Sequence, residues 1–430
     1  MTDRLIGSER VLVEGELRPA VVRTEGDRIA QVWWGTSDPE SVAAQDDGML
    51  GAPPPRQAAV WNVRDRVVLP GGVDTHVHVD EPGRTHREGF TAAARAAAYG
   101  GVTTIVDMPL SSIPPTTTVE ALRVKQAAAR AASGRLPVDV AFWGGAVPGN
   151  ADDLEPLWDA GVLGFTAFLA GSGVPELPPL DADELIVVMD RLVRFDGLLA
   201  VHAGTAAVRT LLDAVRETGA RTHVLDVSSA EVLDLLAEAK AEGLPVTAET
   251  CHHYLVLAAE DVPDGDAACS PTIRDPGNRD ALWDGLRDGI LDCVVSDHSP
   301  SSVAGTGFAA LADAARRRGV SLADVSRWTS ADTAALVGLD RGDRPKGIIA
   351  EGAAADLVIY DPDSVVTVDA ARLAHRNPVS AYDGLTATGE VKDVVLGGEV
   401  VLHGFSEGGT HGRLLLRPGS AAAEQAGRPA

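Results

Sequence analysis

From about residue 68 onward, short runs of β-branched residues alternate with alanine-rich stretches of helical character, and this unit occurs eight times. Such alternation is typical of parallel strands joined by helices. The predicted strands are 68–77, 102–108, 138–143, 163–169, 198–202, 222–227, 245–250 and 291–297. The predicted helices include 87–99, 119–132, 182–195, 205–218, 229–242 and 278–288. Eight repeats predict an α/β fold, a (β/α)8 TIM-like barrel, whose functional residues lie at the carboxyl ends of the strands.

The two ends of the chain differ in character from the middle. Residues 1–67 and 345–430 contain short strand-like runs, such as RVLVEG, DLVIYDP and VVLGGEVVLHG, and few helical stretches. We therefore expect a small β-sandwich domain built from both chain termini, flanking a barrel of residues 68–344. The alternative is two unrelated tails. The last twelve residues, GSAAAEQAGRPA, are predicted to be disordered.

Composition limits the classes of partner. The chain carries 62 acidic against 37 basic residues, a formal net charge of −25, and has no cluster of lysine and arginine larger than the three arginines at 316–318. Proteins that bind nucleic acid or anionic membranes carry such clusters, so neither partner is expected. Three cysteines without CxxC spacing argue against a disulfide framework or a zinc–thiolate site. Because the sequence has no apolar segment of signal or membrane-spanning length, we predict a cytoplasmic protein.

Two histidines, His76 and His78, end the first predicted barrel strand. Residues i and i+2 of a strand face the same side, so both imidazoles could hold one metal ion, although a merely packed pair gives the same pattern. The ends of other predicted strands also carry acidic or imidazole groups, which are Asp107, His202, Asp226, Glu249 and Asp297. Each alone could be structural, but a ring of metal-ligand residue types favours a metal site.

Long blocks of the sequence resemble allantoinases, which are relatives of dihydroorotases and hydantoinases among the cyclic amidohydrolases of the amidohydrolase superfamily. The first block reads PGGVDTHVHVDEPGRTHREGF (70–90), and the others are 100–117, 223–255, 269–300 and 346–363. The resemblance covers nearly the whole chain. It implies a barrel with a composite β-domain, in agreement with the repeat pattern, and an enzyme that forms a homo-oligomer.

The resemblance also implies a metal centre. In the family, two divalent ions are bound by an HxH pair, a carbamylated lysine on the fourth strand, histidines on the fifth and sixth strands, and an aspartate on the eighth. By position, His76, His78, His202 and Asp297 match this pattern.

Two positions depart from the family pattern. GFTAF (164–168) has Thr166 where the lysine is usual, and DVSS (226–229) has Asp226 where the histidine is usual. A threonine hydroxyl is neutral and short, so it cannot supply the anionic bridge between two ions. The four lysines of the chain lie in predicted helices or near the terminal β-domain, so none can replace it. We therefore expect one divalent ion, of the zinc type, with Asp226 as an additional ligand or close neighbour.

The expected reaction is metal-dependent hydrolysis of a cyclic amide or ureide, or the reverse cyclisation, and allantoin is the substrate nearest to the motifs. Asp297 is expected to accept the proton of the attacking water. The resemblance assigns Ser270 to substrate binding, Arg84 is a candidate contact for an anionic substrate, and His253 is predicted to be structural. The alternative is a catalytically silent homologue that acts as a structural or regulatory subunit, which the two replaced ligands favour.

Overall fold

The computed structural model describes residues 3–45, 58–171, 173–262, 271–300, 307–377, 379–404 and 406–426. The strands are β1 (Arg4–Val13), β2 (Glu16–Glu25), β3 (Arg28–Trp34), β4 (Ala59–Pro70), β5 (Gly72–Val77), β6 (Val102–Asp107), β7 (Asp139–Phe142), β8 (Gly144–Gly145), β9 (Phe165–Phe168), β10 (Leu199–His202), β11 (Thr222–Val224), β12 (Val246–Cys251), β13 (Cys293–Val295), β14 (Leu357–Thr367), β15 (Thr386–Leu396), β16 (Glu399–His403) and β17 (Ser406–Glu407).

The helices within the described ranges are α1 (Pro39–Gln45), α2 (Phe90–Tyr99), α3 (Val119–Ala131), α4 (Leu154–Asp159), α5 (Ala182–Val193), α6 (Gly204–Thr218), α7 (Leu233–Ala241), α8 (His252–Val256), α9 (Pro276–Arg287), α10 (Phe308–Arg317), α11 (Leu322–Ser326), α12 (Asp332–Leu336) and α13 (Ala421–Ala426). Single 3₁₀ turns lie at Ala151–Asp153, Ala230–Val232, Ala259–Asp261 and Ala370–Arg372, and a π-helical turn at Arg327–Ala331.

Strands β5 to β13 form a closed barrel of parallel strands. β5, β6 and β7 pair in order, and β8 to β13 pair in order. Trp143 alone separates β7 from β8, so the two act as one barrel strand. The last strand returns to the first through a parallel bridge between Val77 and His298, and the His78 N–H donates to the His298 carbonyl at 2.8 Å. The eight predicted strands are all present, and the predicted (β/α)8 fold is confirmed.

Alternation along each strand sorts residues between the barrel interior and the helices. On β9 and β10, Phe165 and Leu199 belong to the large core between the strands and the helices. Phe168 and Ala200 instead belong to a separate cluster that contains Trp143 from the neighbouring strand. The same alternation directs position 166 and position 202 into the barrel, toward the carboxyl end.

The two ends of the chain meet in one sheet of eight strands, ordered β17-β16-β15-β14-β4-β1-β2-β3. The junction is the antiparallel pairing of β14 with β4, while β1 pairs with β4 in parallel. One face of the sheet encloses its own apolar cluster, and the other packs against residues of the barrel helices such as Tyr99 and Ala312. The predicted β-sandwich built from both termini is therefore confirmed, and the alternative of unrelated tails is wrong. The domain boundaries between residues 67 and 68 and between residues 344 and 345 stay a prediction.

Two local predictions are corrected. The predicted strand 68–77 divides at Gly71, because β4 ends in the terminal sheet and β5 begins the barrel. A Cβ at Gly71 would lie 2.2 Å from Thr103 Oγ1, so only glycine fits at this crossing. The end of the chain was predicted to be disordered, yet α13 forms there, and Ser420 Oγ caps it by accepting from the Ala423 N–H at 3.1 Å.

Candidate metal centre

The site lies where four strands of the barrel end. His76 is on β5 and His78 just beyond it, His202 ends β10, and Asp226 and Asp297 follow β11 and β13. Asp226 and Asp297 have backbone φ angles of 53° and 50°. Residues other than glycine seldom adopt this left-handed region. Strained residues of this kind are held by the surrounding structure and concentrate at functional sites. The two aspartates thus turn back into the barrel mouth instead of continuing their strands.

His76, His78 and Asp297 form the first set of ligand atoms. Asp297 Oδ1 lies 3.7 Å from His76 Nε2 and 3.4 Å from His78 Nε2. One ligand atom from each residue lies within 4.8 Å of the others, and His76 is fully buried. Its Nε2 has no hydrogen-bond partner within the described parts of the chain. A buried imidazole nitrogen without a partner is costly, so this set fits a divalent metal ion.

His202 and Asp226 supply a second set that shares His76. Asp226 Oδ2 lies 3.0 Å from His202 Nδ1, and Asp226 Oδ1 lies 3.4 Å from His76 Nδ1. Phe168 stacks on the His202 ring at 4.4 Å and an interplanar angle of 4°, which fixes the orientation of the imidazole. His202 Nε2 is buried, again with no hydrogen-bond partner in the described residues. The five residues predicted as metal ligands are therefore brought together.

The electrostatics of the cluster favour a cation. Burial alone would lower the pKa of the His76 imidazole, but the carboxylates of Asp226, Glu249 and Asp297 raise it to about 10. Burial and the neighbouring His76 charge instead lower the pKa of His78 to about 3. Three carboxylates thus favour a positive charge on His76, and a divalent ion can take the place of its proton.

Thr166 lies at the position of the usual bridging lysine and cannot replace it. Its side chain is fully buried on β9, and its Oγ1 has no hydrogen-bond partner among the residues described. The ε-amino groups of all four lysines contact carboxylates elsewhere, at Asp107, Asp292, Asp139 with Asp356, and Glu390. None of the four is available to bridge ions at this centre.

Two of the other predicted residues, Asp107 and Arg84, lie outside the cluster. Asp107, one of the strand-end groups, contacts Lys125 Nζ at 2.7 Å and accepts from the Val79 N–H at 3.0 Å. Arg84 lies in the segment after β5, where its Nη2 contacts Glu176 Oε1 at 2.8 Å. Ser270 lies outside the described residues.

Sequence reasoning named Glu249 as a strand-end group but did not include it in the site. Glu249 Oε1 lies 2.7 Å from His76 Nδ1, and its other oxygen lies 3.0 Å from His223 Nε2. Cys251 and His253 also reach the centre, since their ligand atoms lie within 4.8 Å of each other and of Asp297. The period of two along β12 was the available signal, because it places Glu249 and Cys251 on one face.

In the part of the chain that the structure describes, no helix is long and apolar enough to cross a membrane.

Comparisons with known proteins agree with this architecture. The model of the Amidohydrolase family matches residues 67–401. An allantoinase of Streptomyces avermitilis is 45% identical, with 96% of this chain and 98% of that protein aligned. The allantoinase of Saccharomyces cerevisiae is 36% identical over 92% of this chain and 94% of its own. The solved L-hydantoinase (dihydropyrimidinase) of Arthrobacter aurescens superposes with a TM-score of 0.85 at 25% identity, covering 97% of this chain and 100% of that one. With the barrel, the terminal β-domain and the cluster of metal-ligand residues, these similarities establish that the chain belongs to the Amidohydrolase family.

Proposed function

We propose that the chain is a cyclic amidohydrolase that uses one divalent metal ion, of the zinc type, to open the ring of a neutral cyclic ureide such as allantoin, or to close it in reverse. The observation that carries the proposal is the convergence of His76 Nε2, His78 Nε2 and Asp297 Oδ1 at the carboxyl end of the barrel. The relatives named allantoinase, at 45% and 36% identity, support the substrate class.

The residues present suit a mononuclear centre. His76, His78 and Asp297 would hold the ion, with His202 as a further ligand and Asp226 beside it, and three or four nitrogen and oxygen ligands are the set that catalytic zinc takes. A bound ion of this kind polarises a carbonyl and lowers the pKa of water toward about 7. The Thr166 hydroxyl supports one ion instead of two, because it cannot carry the negative charge of a bridging group.

Asp297 is the group that we assign to proton transfer. Its Oδ1 lies 3.7 Å from His76 Nε2 and 3.4 Å from His78 Nε2, beside the candidate position of the ion. A carboxylate next to an activated water can accept the proton of that water and give it back. Asp297 would accept the proton of the attacking water and donate it to the ring nitrogen as the amide bond breaks. Arg84 and Ser270 stay our proposals for substrate contacts.

A catalytically silent homologue is the second candidate. The observation that favours it is the coincidence of Thr166 and Asp226, since both replace ligands that the family resemblance assigns to the same half of a two-ion centre. A subunit with a structural or regulatory role would keep the barrel and lose the reaction.

Metal content and turnover separate the two candidates. We expect one ion per chain, lost in His78→Asn and kept in His86→Asn, which changes an exposed histidine of the same loop. Allantoin, hydantoin and dihydroorotate are then assayed in the wild type and in the variant Thr166→Lys/Asp226→His. Two ions in the wild type would contradict the mononuclear centre, and absence of both metal and turnover would contradict the enzyme. Turnover only in the double variant would favour the silent homologue.

A further inference from the structure

A buried carboxylate contacts the ring nitrogen of His76 that faces away from Asp297. Glu249 Oε1 lies 2.7 Å from His76 Nδ1, whereas Asp297 approaches the opposite nitrogen, Nε2. Both His76 and Glu249 are fully buried. Burying a carboxylate costs free energy unless it is hydrogen-bonded. The burial of Glu249 beside His76 therefore indicates that its charge and its position have a role.

Glu249 is itself held by a second histidine. His223 Nε2 lies 3.0 Å from Glu249 Oε2, and His223 Nδ1 lies 2.8 Å from Thr247 Oγ1. His223 and Thr247 are directly opposed in the pairing of β11 with β12, and Glu249 follows two residues later on the same face. The pairing register of these two strands therefore sets the position of the carboxylate.

The donors and acceptors of this chain allow one arrangement. An ionised carboxylate only accepts hydrogen bonds, so both imidazoles must donate to Glu249. His223 donates from Nε2, and its Nδ1 then accepts from the Thr247 hydroxyl. His76 donates from Nδ1, so Nε2 is the nitrogen through which it would bind the ion once the ion displaces its proton.

We infer that Glu249 is a positioning residue that holds His76 in the tautomer and orientation needed to bind the ion, and that His223 in turn holds Glu249. The inference rests on the metal centre of the proposed function and adds two residues to it. Both residues act through His76, Glu249 by direct contact and His223 by way of Glu249. Partners of this kind raise metal affinity by fixing the ligand before the ion arrives.

The test is zinc affinity measured by competition with a chelator, on the full chain. In Glu249→Gln the amide oxygen can accept from only one imidazole, and its NH₂ faces a second donor, so we expect affinity to fall by about 10- to 100-fold. Val294→Ala is the control for packing, because Val294 is buried on the neighbouring strand β13 but belongs to the core between the strands and the helices. We expect Val294→Ala to bind zinc as the wild type does.

If Glu249→Gln does not fold, two variants of His223 provide a second test of the contact between His223 and Glu249. His223→Gln retains a donor to Glu249 and is expected to keep most of the affinity, whereas His223→Leu removes the donor and is expected to lose about tenfold. In the zinc-loaded wild type, nitrogen-15 spectra of labelled histidine should show the His76 Nδ1–H protected from exchange, and Glu249→Gln should lose that protection.

The outcomes distinguish this inference from the proposed function. A wild type without bound zinc would overturn the metal centre and the inference together. Equal zinc affinity in the wild type and Glu249→Gln would overturn the inference alone. An equal loss in Val294→Ala and Glu249→Gln, or in His223→Leu and His223→Gln, would also overturn it, since general packing would then explain the effect.

Discussion

An ion pair buried between α3 and β6 should be one of the most sensitive contacts of the barrel. Lys125 Nζ lies 2.7 Å from Asp107 Oδ2 and donates to the Met108 carbonyl at 2.7 Å, and both charged side chains are 1% exposed. Asp107 Oδ1 also accepts from the Val79 N–H at 3.0 Å. The pair thus holds the residue next to His78, and Lys125→Met tests what it contributes.

The expected cost follows from burial. Removing one partner of a buried pair leaves an uncompensated charge and costs about 3–5 kcal/mol. In Lys125→Met/Asp107→Asn no charge remains, and the asparagine oxygen can still accept from the Val79 N–H. The double variant should therefore lose less than half of what Lys125→Met loses. Measured together with Asp107→Asn, the variants form a double-mutant cycle.

Stability should also depend on pH through Asp107. Burial raises its pKa to about 6 although Lys125 acts in the opposite direction. The pKa in the unfolded chain is about 3.9, so the difference of about two pKa units corresponds to about 3 kcal/mol. Because the folded pKa is the higher one, this stability is fully present below the unfolded pKa and is lost as the pH rises through about 6. Asp107→Asn should remove the dependence.

The assay is urea denaturation followed by tryptophan fluorescence, at about pH 5 and about pH 8 for each variant. Lys125→Met should show the largest loss at the higher pH, where Asp107 is ionised. A loss below about 1 kcal/mol at that pH would refute the reasoning, since exposed pairs contribute that little. A double variant as unstable as Lys125→Met would refute it as well.

Three further predictions concern the centre and the terminal domain. Asp226→Asn removes the charge that lies 3.0 Å from His202 Nδ1 and should weaken zinc binding by about 10- to 100-fold in a chelator competition; unchanged affinity would remove Asp226 from the centre. Lys346 Nζ lies 2.9 Å from the Asp139 carboxylate and 2.6 Å from that of Asp356, and Lys346→Met leaves both buried carboxylates without a cation. The free energy of unfolding measured in urea should fall by about 3–5 kcal/mol. A loss within experimental error would show that the three charges are not coupled. Stripping the metal with a chelator should lower the thermal midpoint and added zinc should restore it, since a ligand of the folded state stabilises it; a midpoint that does not move would contradict a site formed only on folding.

The sequence by itself determined the architecture and the residue types of the centre. The barrel follows from eight repeats of a local pattern, because the spacing of apolar residues reports strand or helix within a few turns of chain. The period of two on one strand predicted that His76 and His78 face the same side, and the GFTAF motif showed that Thr166 stands where a lysine is usual. The pairing of the two termini was predicted from their like character, although neither segment forms the sheet alone.

The tertiary structure decided which strand-end groups serve the centre. Asp107 and Glu249 look alike in the sequence, each an acid at the end of a strand. Asp107 forms an ion pair with Lys125, which lies on α3 where this helix packs against β6. Glu249 instead contacts His76 across the closed barrel. These partners are set by strand register and by the direction of side chains far apart in the chain, and both are fixed only when the barrel closes between Val77 and His298.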